Sequence, residues 1–116
     1  MKVLSWNIRG LNSKGKQRNL KKKLQEEKPQ VMLIQETKVT GHKLEEVIQS
    51  LKLQYQAIAI DSVGTSGGLA ILWNTAEIVA DGWISLPRIL SATFRQIGAE
   101  ERILISAVYG PPIPGE

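Results

Sequence analysis

Three polar side chains stand where apolar segments of the chain end. Asn7 and Tyr109 each close a strand-like segment, and Glu36 follows the apolar run 31–34. Ligand sites gather at the carboxyl ends of neighbouring strands, because loops there direct side chains into a common crevice. A carboxylate at the mouth of a buried strand can bind a hard divalent cation through oxygen. An ordinary charged residue leaving the core would look the same, so the position of Glu36 alone leaves both interpretations open.

Hydrophobic periodicity predicts two strand–helix units followed by a run of antiparallel strands. The first helix is predicted at 16–27, ended by Pro29. The second is marked by apolar residues at helical spacing: Leu44, Val47, Ile48 and Leu51. The predicted strands are 2–7, 31–34, 55–60, 68–73, 77–84, 90–97 and 102–109, separated in the second half by turns at 61–67, 74–75, Gly82, Pro87 and 98–99. Two helices cannot cover this many strands, so apolar strand faces are expected to lack a covering element.

Composition predicts a soluble globular protein. The 116 residues fit one domain. A content of 42% hydrophobic and 22% charged residues is typical of a globular protein with a packed core. No run approaches the roughly 20 apolar residues of a membrane span, and the first residues lack the pattern of a secretory signal. Cysteine is absent, which excludes disulfides and thiolate metal sites. We therefore expect no membrane association and no secretion, and a location in the nucleus or cytoplasm.

The positive charge is concentrated in the first quarter of the chain. Residues 1–30 contain nine Lys or Arg against two Glu, a net of +7, whereas the remainder has six against nine, a net of −3. Such asymmetry indicates a surface for a polyanion such as nucleic acid, although a solvated lysine-rich helix face is an equal alternative. The candidate nucleic-acid-binding residues are Arg9, Lys14, Lys16, Arg18, Lys21, Lys22 and Lys23.

Four short blocks resemble the ordered motifs of the endonuclease/exonuclease/phosphatase superfamily. They are Ser-Trp-Asn-Ile-Arg-Gly-Leu (5–11), Ile-Gln-Glu-Thr-Lys (34–38), Ser-Gly-Gly-Leu-Ala-Ile-Leu-Trp (66–73) and Val-Tyr-Gly-Pro-Pro (108–112). Each block alone is weak, but the four occur in the family's order across the whole chain. The first two are most similar to the endonuclease of plant non-long-terminal-repeat (LINE-type) retrotransposons, whereas endonucleases that repair abasic sites are more distant.

The resemblance implies an α/β (α+β) sandwich of two mixed β-sheets face to face, flanked by helices, and phosphodiester hydrolysis assisted by Mg²⁺ or Mn²⁺. Glu36 matches the family's metal-binding glutamate, and Asn7 matches the asparagine beside the metal and the scissile phosphate. Tyr109 matches the tyrosine whose hydroxyl helps to hold that phosphate. The Gly67-Gly68 pair matches glycines that open a central strand, which favours a structural role.

Two blocks of the family pattern do not occur in this sequence. They are an Asp-x-Asn block, which handles the attacking water and leaving group, and a Ser-Asp-His block, which supplies the general base. His42 is the only histidine, and its place before the second helix indicates a surface or capping residue rather than that base. We therefore expect residues 1–116 to be the amino-terminal portion of a single domain whose carboxy-terminal half is missing, without appreciable nuclease activity alone.

Two other functions remain open from the sequence. The chain is alternatively a truncated, non-catalytic retroelement product that binds nucleic acid weakly and without sequence preference. A phosphoesterase of the same fold that acts on small phosphoesters is the further alternative. The basic segment 14–23 favours DNA as the partner.

Overall fold

The computed structural model describes residues 1–62 and 67–108; Tyr109 and Ser66 lie outside this part. Two β-sheets lie face to face, and two helices cover the outer face of the first. The elements in chain order are β1 (Val3–Asn7), α1 (Lys14–Glu27), β2 (Val31–Gln35), α2 (Gly41–Leu51), β3 (Tyr55–Ile60), β4 (Leu69–Asn74), β5 (Ile78–Leu86), β6 (Ile89–Gln96) and β7 (Ile103–Val108). In the described part, neither helix has the length and apolarity needed to cross a membrane.

The first sheet is mixed, with the strand order β1-β2-β4-β3. β1 and β2 are parallel, as expected for two strands joined by a helical crossover. β4 pairs antiparallel with β2 on one side and with β3 on the other. The central strand β4 is buried along Leu69–Trp73, because the helices cover one face and the second sheet covers the other.

Helix α1 begins two residues earlier than predicted. The Ser13 hydroxyl accepts a hydrogen bond from the Lys16 amide at 3.1 Å and so caps the first turn. The helix ends at Glu27, followed by Lys28 in the left-handed conformation rather than directly by the proline. Its buried side chains are Gln17, Leu20 and Leu24. This face is narrow, which agrees with the thinly apolar pattern of the sequence.

Helix α2 has the buried face that its periodicity predicts. Leu44, Val47, Ile48 and Leu51 are all buried against the first sheet. The Thr40 hydroxyl caps the helix by accepting from the Lys43 amide at 3.1 Å. His42 is exposed and lies 3.1 Å from Glu46 one turn later, so the prediction of a surface position is confirmed.

The second sheet has the order β5-β6-β7, and its three described strands are antiparallel. The predicted turn at Gly82 is wrong, because β5 continues through this residue and reaches Leu86. A β-bulge between Ala80 and Gly82 absorbs the irregularity instead. Asp81 lies in this bulge, and its carboxylate accepts from the side chains of Arg95 at 3.2 Å and Arg102 at 3.0 Å.

The core between the two sheets is centred on an aromatic pair. Trp73 and Phe94 are both buried, with ring centroids 5.7 Å apart and ring planes tilted by 55°. Tilted aromatic pairs at this distance are favourable beyond the area they bury. Trp73 is therefore a core residue, and the predicted sandwich of two sheets with flanking helices is confirmed.

Two faces of the sandwich have no cover in the described part of the chain. Val3, Ser5 and Asn7 point from β1 away from the helices and are exposed, because the second sheet does not extend over them. The outer face of the second sheet exposes several large apolar side chains between 48% and 69%: Ile84, Leu86, Leu104 and Val108. The expectation of uncovered apolar strand faces is met by this second surface.

Candidate metal and phosphate site

The parallel pairing of β1 and β2 brings Asn7 and Glu36 to the same end of the first sheet. Asn7 lies opposite Gln35, and Glu36 is the next residue. The chain after β1 continues beside the chain after β2 through two further bonds, in which the amide of Gly10 donates to the Glu36 carbonyl at 2.8 Å and that of Leu11 to the Thr37 carbonyl at 2.9 Å. The two residues therefore lie on adjacent, mutually bonded segments.

The side-chain oxygen of Asn7 is held in place by its own loop. Asn7 Oδ1 accepts a hydrogen bond from the Arg9 amide at 3.1 Å, the pattern of an Asx turn. This bond uses one acceptor position of the oxygen, and a second lone pair is left for a cation or a donor. Asn7 is exposed, so a ligand can reach this oxygen.

The Glu36 carboxylate is half-buried and forms no hydrogen bond or ion pair with residues 1–62 or 67–108. A cation such as Mg²⁺ binds through one or two carboxylates and completes its shell with water and phosphate oxygens. One free carboxylate and one amide oxygen on adjacent segments fit this requirement. Within the described residues, no group of three or more His, Cys, Asp or Glu side chains could hold a metal by themselves.

The backbone around the site is held in unusual conformations. Arg9, Glu36 and Lys38 have φ between 54° and 56°, in the left-handed region that non-glycine residues rarely adopt. Each such residue costs about 1 kcal/mol or more, and such strain persists only where the surroundings impose it. The bonds between residues 8–11 and 35–37 hold the chain at Arg9 and Glu36, and the bond from the Lys38 amide to the Gly67 carbonyl holds it at Lys38.

The glycine pair fixes the loop that carries Glu36. The amide of Thr37 donates to the Gly68 carbonyl at 3.3 Å, and that of Lys38 donates to the Gly67 carbonyl at 2.8 Å. Gly68 has a φ of +94°, and the Thr37 side chain fills the place where a β-carbon would stand. These contacts support the structural role that the sequence indicated for the pair.

Asp61 lies at the same end of the sheet but is already engaged. Its Oδ1 accepts from the Gly41 amide at 2.6 Å at the start of α2. A carboxylate at a helix N-terminus is stabilised by the free amides and by the helix dipole. Asp61 was not singled out from the sequence, and its contact indicates a structural role.

The basic residues of α1 have different environments. Lys16 donates to the Ile8 carbonyl at 3.0 Å, Lys23 lies 5.4 Å from the centre of the Trp6 ring, and Lys22 is 3.9 Å from Glu26. The remaining cations of α1 have no partner among residues 1–62 and 67–108: Lys14, Arg18 and Lys21. The Arg9 side chain likewise has none there.

Arg88 is a cation that the sequence analysis did not single out. It occupies the turn between β5 and β6 with a φ of 68°, and Leu86 pairs with Ile89 on either side of it. Ile89 also pairs with Val108, so the turn lies at the end of the second sheet where β7 finishes. In the sequence, Pro87 predicts a turn at this position, but nothing predicts that the turn exposes an arginine.

No protein-family model matches the chain, and no curated protein matches it. Solved structures do. The catalytic domain of human Nocturnin with bound sulfate is 12% identical with a TM-score of 0.71, over 91% of this chain and 48% of that one. The AP endonuclease LMAP from Leishmania major is 18% identical with a TM-score of 0.66, over 93% and 39%. The 3′ phosphatase NExo from Neisseria, bound to a product DNA hairpin, is 21% identical with a TM-score of 0.62, over 90% and 40%.

The chain spans less than half the length of each of these structures, and the match covers nearly all of the chain itself. Structural similarity to proteins that are 12% to 21% identical in sequence establishes the fold alone. The neighbours include members of the superfamily that the sequence blocks resemble. The chain therefore has the fold of the endonuclease/exonuclease/phosphatase superfamily.

Proposed function

We propose that the chain is part of a divalent-metal-dependent phosphodiesterase that nicks DNA, of the kind encoded by plant LINE-type retrotransposons. The observation that carries this proposal is the free Glu36 carboxylate on a segment that is hydrogen-bonded to the segment following Asn7, whose side-chain oxygen is oriented by its own turn. An AP endonuclease and a DNA-bound 3′ phosphatase with the same fold support the hydrolysis of a phosphate ester in DNA, and the endonuclease is the one that supports a phosphodiester. The wording of blocks 5–11 and 34–38 supports the retrotransposon assignment, and the lack of cysteine fits a nuclear or cytoplasmic location.

In this proposal, the two residues divide the binding of the phosphate and its cation. Glu36 would hold Mg²⁺ or Mn²⁺ through its carboxylate, and Asn7 would present Oδ1 to the cation or its amide group to a phosphate oxygen. When bound, the cation supplies charge that stabilises the phosphoryl group and the leaving oxygen. Tyr109, which lies outside the described residues, is proposed to donate its hydroxyl to the same phosphate.

We also propose that residues 1–116 form the amino-terminal part of the domain and are inactive alone. The uncovered inner face of β1 and the exposed outer face of the second sheet each lack a covering layer in the described part. The similar structures are more than twice as long as the matched region, which supports a missing half. The absence of the Asp-x-Asn and Ser-Asp-His blocks leaves no general base of the family type.

We expect Mn²⁺ to bind the chain at Glu36. In a series of ¹H–¹⁵N NMR spectra with increasing Mn²⁺ concentration, the amide signals of residues 7–10 and 35–38 should broaden before those of other residues. Glu36→Gln should weaken this binding at least about tenfold, the loss that even an outer-shell metal partner causes. Glu101→Gln is the matched control, because that glutamate is exposed in the connection between β6 and β7. Broadening that survives Glu36→Gln would remove Glu36 from the site.

A plasmid-nicking assay tests the inactivity of the chain. With Mg²⁺ or Mn²⁺, the purified protein should nick supercoiled plasmid no faster than Glu36→Ala does. A metal-dependent nick that persists through purification and disappears in Glu36→Ala would contradict the proposal that the missing half is required.

A row of unpaired cations supports nucleic acid as the substrate class. Lys14, Arg18 and Lys21 lie on adjoining turns of α1, whose first turn follows the loop that contains Asn7 and Arg9. Residues three and four apart are neighbours on a helix surface, so these cations form one stripe. A stripe that starts beside the candidate metal site suits a strand of phosphates passing through it.

DNA binding by this stripe should depend steeply on salt. Three phosphate contacts predict a slope of about −2.7 for log affinity against log salt concentration. Replacing Lys14, Arg18 and Lys21 together by Gln should remove most of this slope, measured by fluorescence anisotropy on a random-sequence duplex. The double variant Lys43→Gln/Arg102→Gln is the control. An unchanged slope in the triple variant would place the binding surface elsewhere.

The same stripe favours a second candidate function, in which the chain is a non-catalytic retroelement product that binds nucleic acid. The two functions differ in the metal: a binding-only chain should show the salt dependence but no Mn²⁺ broadening at Glu36. A small phosphoester as the substrate is less well supported, because it would make no use of the stripe.

A further inference from the structure

The edge of β3 is an unprotected strand edge. β3 pairs with β4 on one side, and no described segment pairs with its other side. Its sequence Tyr-Gln-Ala-Ile-Ala-Ile contains no charge and no proline, and its register with β4 has no bulge. Exposed edges of this kind pair readily with further strands. Proteins usually prevent this pairing by placing a charge, a proline or a β-bulge on the edge strand, and β3 has none of the three. β5, in contrast, carries a bulge with a charged residue at its own edge.

A hollow lies on each face of this edge. The helix-side hollow, between α2 and β3, has a volume of about 390 Å³ and is lined by Glu45, Gln49 and Leu53 among others. The inter-sheet hollow, between β3 and β5, has a volume of about 460 Å³. Gln56 and Ala57 line both hollows, so the two flank the same stretch of strand.

The two hollows differ in chemistry. In the helix-side hollow, the Glu45 carboxylate is exposed and has no partner in the described part of the chain, unlike Glu46 in the next position. This hollow suits a basic side chain. The inter-sheet hollow is lined largely by apolar side chains, among them Ile58, Trp73, Ile78 and Trp83. Trp83 is 60% exposed, so this hollow suits a large apolar side chain.

We propose that the β3 edge binds an extended segment of a partner protein as an added strand. Successive side chains of a strand point to opposite faces, so neighbouring residues of the segment enter the two hollows in turn. In this mode, backbone hydrogen bonds supply affinity and the pockets supply specificity. The hollows select a segment in which basic and large apolar residues alternate.

The proposed docking edge is separate from the candidate metal site. β3 and β1 are the two opposite edges of the first sheet, and the hollows contain neither Asn7 nor Glu36. The docking proposal therefore does not depend on the metal site, whereas pairing of the proposed missing half with β3 would overturn it.

The test uses the 116-residue chain and a blocked hexapeptide in which Lys and Phe alternate. The control peptide has the same composition, with three Lys followed by three Phe. In ¹H–¹⁵N NMR titrations, the alternating peptide should shift the amide signals of residues 55–60 and slow their hydrogen exchange, and it should bind more tightly than the control peptide. Equal binding of the two peptides, no binding, or shifts confined to other residues would overturn the proposal.

Two pairs of exposed variants test the hollows without disturbing the core. Glu45→Gln should weaken binding about two- to fivefold, as for an exposed ion pair, whereas Glu46→Gln should not. Trp83→Ser should weaken it about tenfold, the loss of a contributing interface aromatic, whereas Leu104→Ser on the outer face should not. Equal effects within either pair would contradict the assigned hollow. Sedimentation that shows the chain pairing with itself through β3 would also overturn the proposal, because the occupant would then be a second copy.

Discussion

Replacing Gly68 by Ala should destabilise the protein by about 2 to 5 kcal/mol, because a left-handed conformation and overpacking each add to the cost. The new β-carbon would collide with Thr37 Oγ1 and would lie 3.2 Å from the Lys38 amide nitrogen. The φ of +94° is itself unfavourable for alanine. Thr37 is buried, so neither partner can move away easily.

Urea unfolding of three glycine variants separates the two causes. Gly98 has a φ of +86° with open space around it, so Gly98→Ala should cost only about 1 kcal/mol. Gly82 has neither a positive φ nor a neighbour within 4 Å, so Gly82→Ala should lie within about 0.5 kcal/mol of the parent. A Gly68→Ala variant no less stable than Gly98→Ala would mean that Thr37 does not fill this space.

Removing the Phe94 ring should cost about 3 to 5 kcal/mol of unfolding free energy, the usual range for a buried Phe→Ala change. Phe94 has no exposed surface and lies against Trp73 between the sheets. A domain of this size is stable by only about 5 to 15 kcal/mol. Phe94→Ala therefore removes a large share of the stability, through the cavity and through the lost aromatic contact.

The matched control is Leu104→Ala in the same sheet. Leu104 is 69% exposed on the outer face, so its truncation should change the unfolding free energy by no more than about 0.5 kcal/mol. Both variants are measured by urea unfolding followed by far-ultraviolet circular dichroism and by tryptophan fluorescence, to which Trp73 between the sheets contributes together with Trp6 and Trp83. Similar costs for the two variants would show that the second sheet is not packed on the first as described.

The elements with strong periodicity were predicted well from the sequence. The face of α2 emerged as predicted, because apolar residues at helical spacing admit one buried orientation. β3 has the predicted bounds, since the apolar helical spacing ends at Leu51 before it and the turn formers Asp61 and Ser62 follow it. The sequence predicts a first helix that is two residues too short. Gly15 is typical of a loop although it lies in the first turn of α1, and Ser13 caps that turn.

Features that depend on distant contacts could not be read from local patterns. Gly82 has the composition of a turn, but pairing with β6 carries β5 through it as a bulge. Lys16 and Lys23 contact Ile8 and Trp6 because α1 lies next to β1 and the loop after it. The sequence alone does not show this approach, so it does not distinguish these two lysines from the others in α1.

The candidate site was predicted in part. Asn7 and Glu36 each follow an apolar strand in the sequence, which predicts that they lie near each other. In the register of β1 with β2, Asn7 lies opposite Gln35, the residue before Glu36. The left-handed backbone at Arg9 and Glu36 could not be foreseen, because glycine or asparagine would normally mark such positions. The metal and phosphate roles of these residues stay predictions, and Tyr109 lies outside the described residues.

The strand order β1-β2-β4-β3 also constrains the order of folding events. Among the described strands of the first sheet, β4 comes last along the chain, yet it lies between β2 and β3. Met32 meets Leu72 forty positions later, so a long loop must close before the sheet is continuous. On a ribosome, β1, β2 and β3 emerge before β4, the strand that joins β2 to β3. The apolar faces of both helices therefore have no complete sheet to cover until Asn74 has been synthesised.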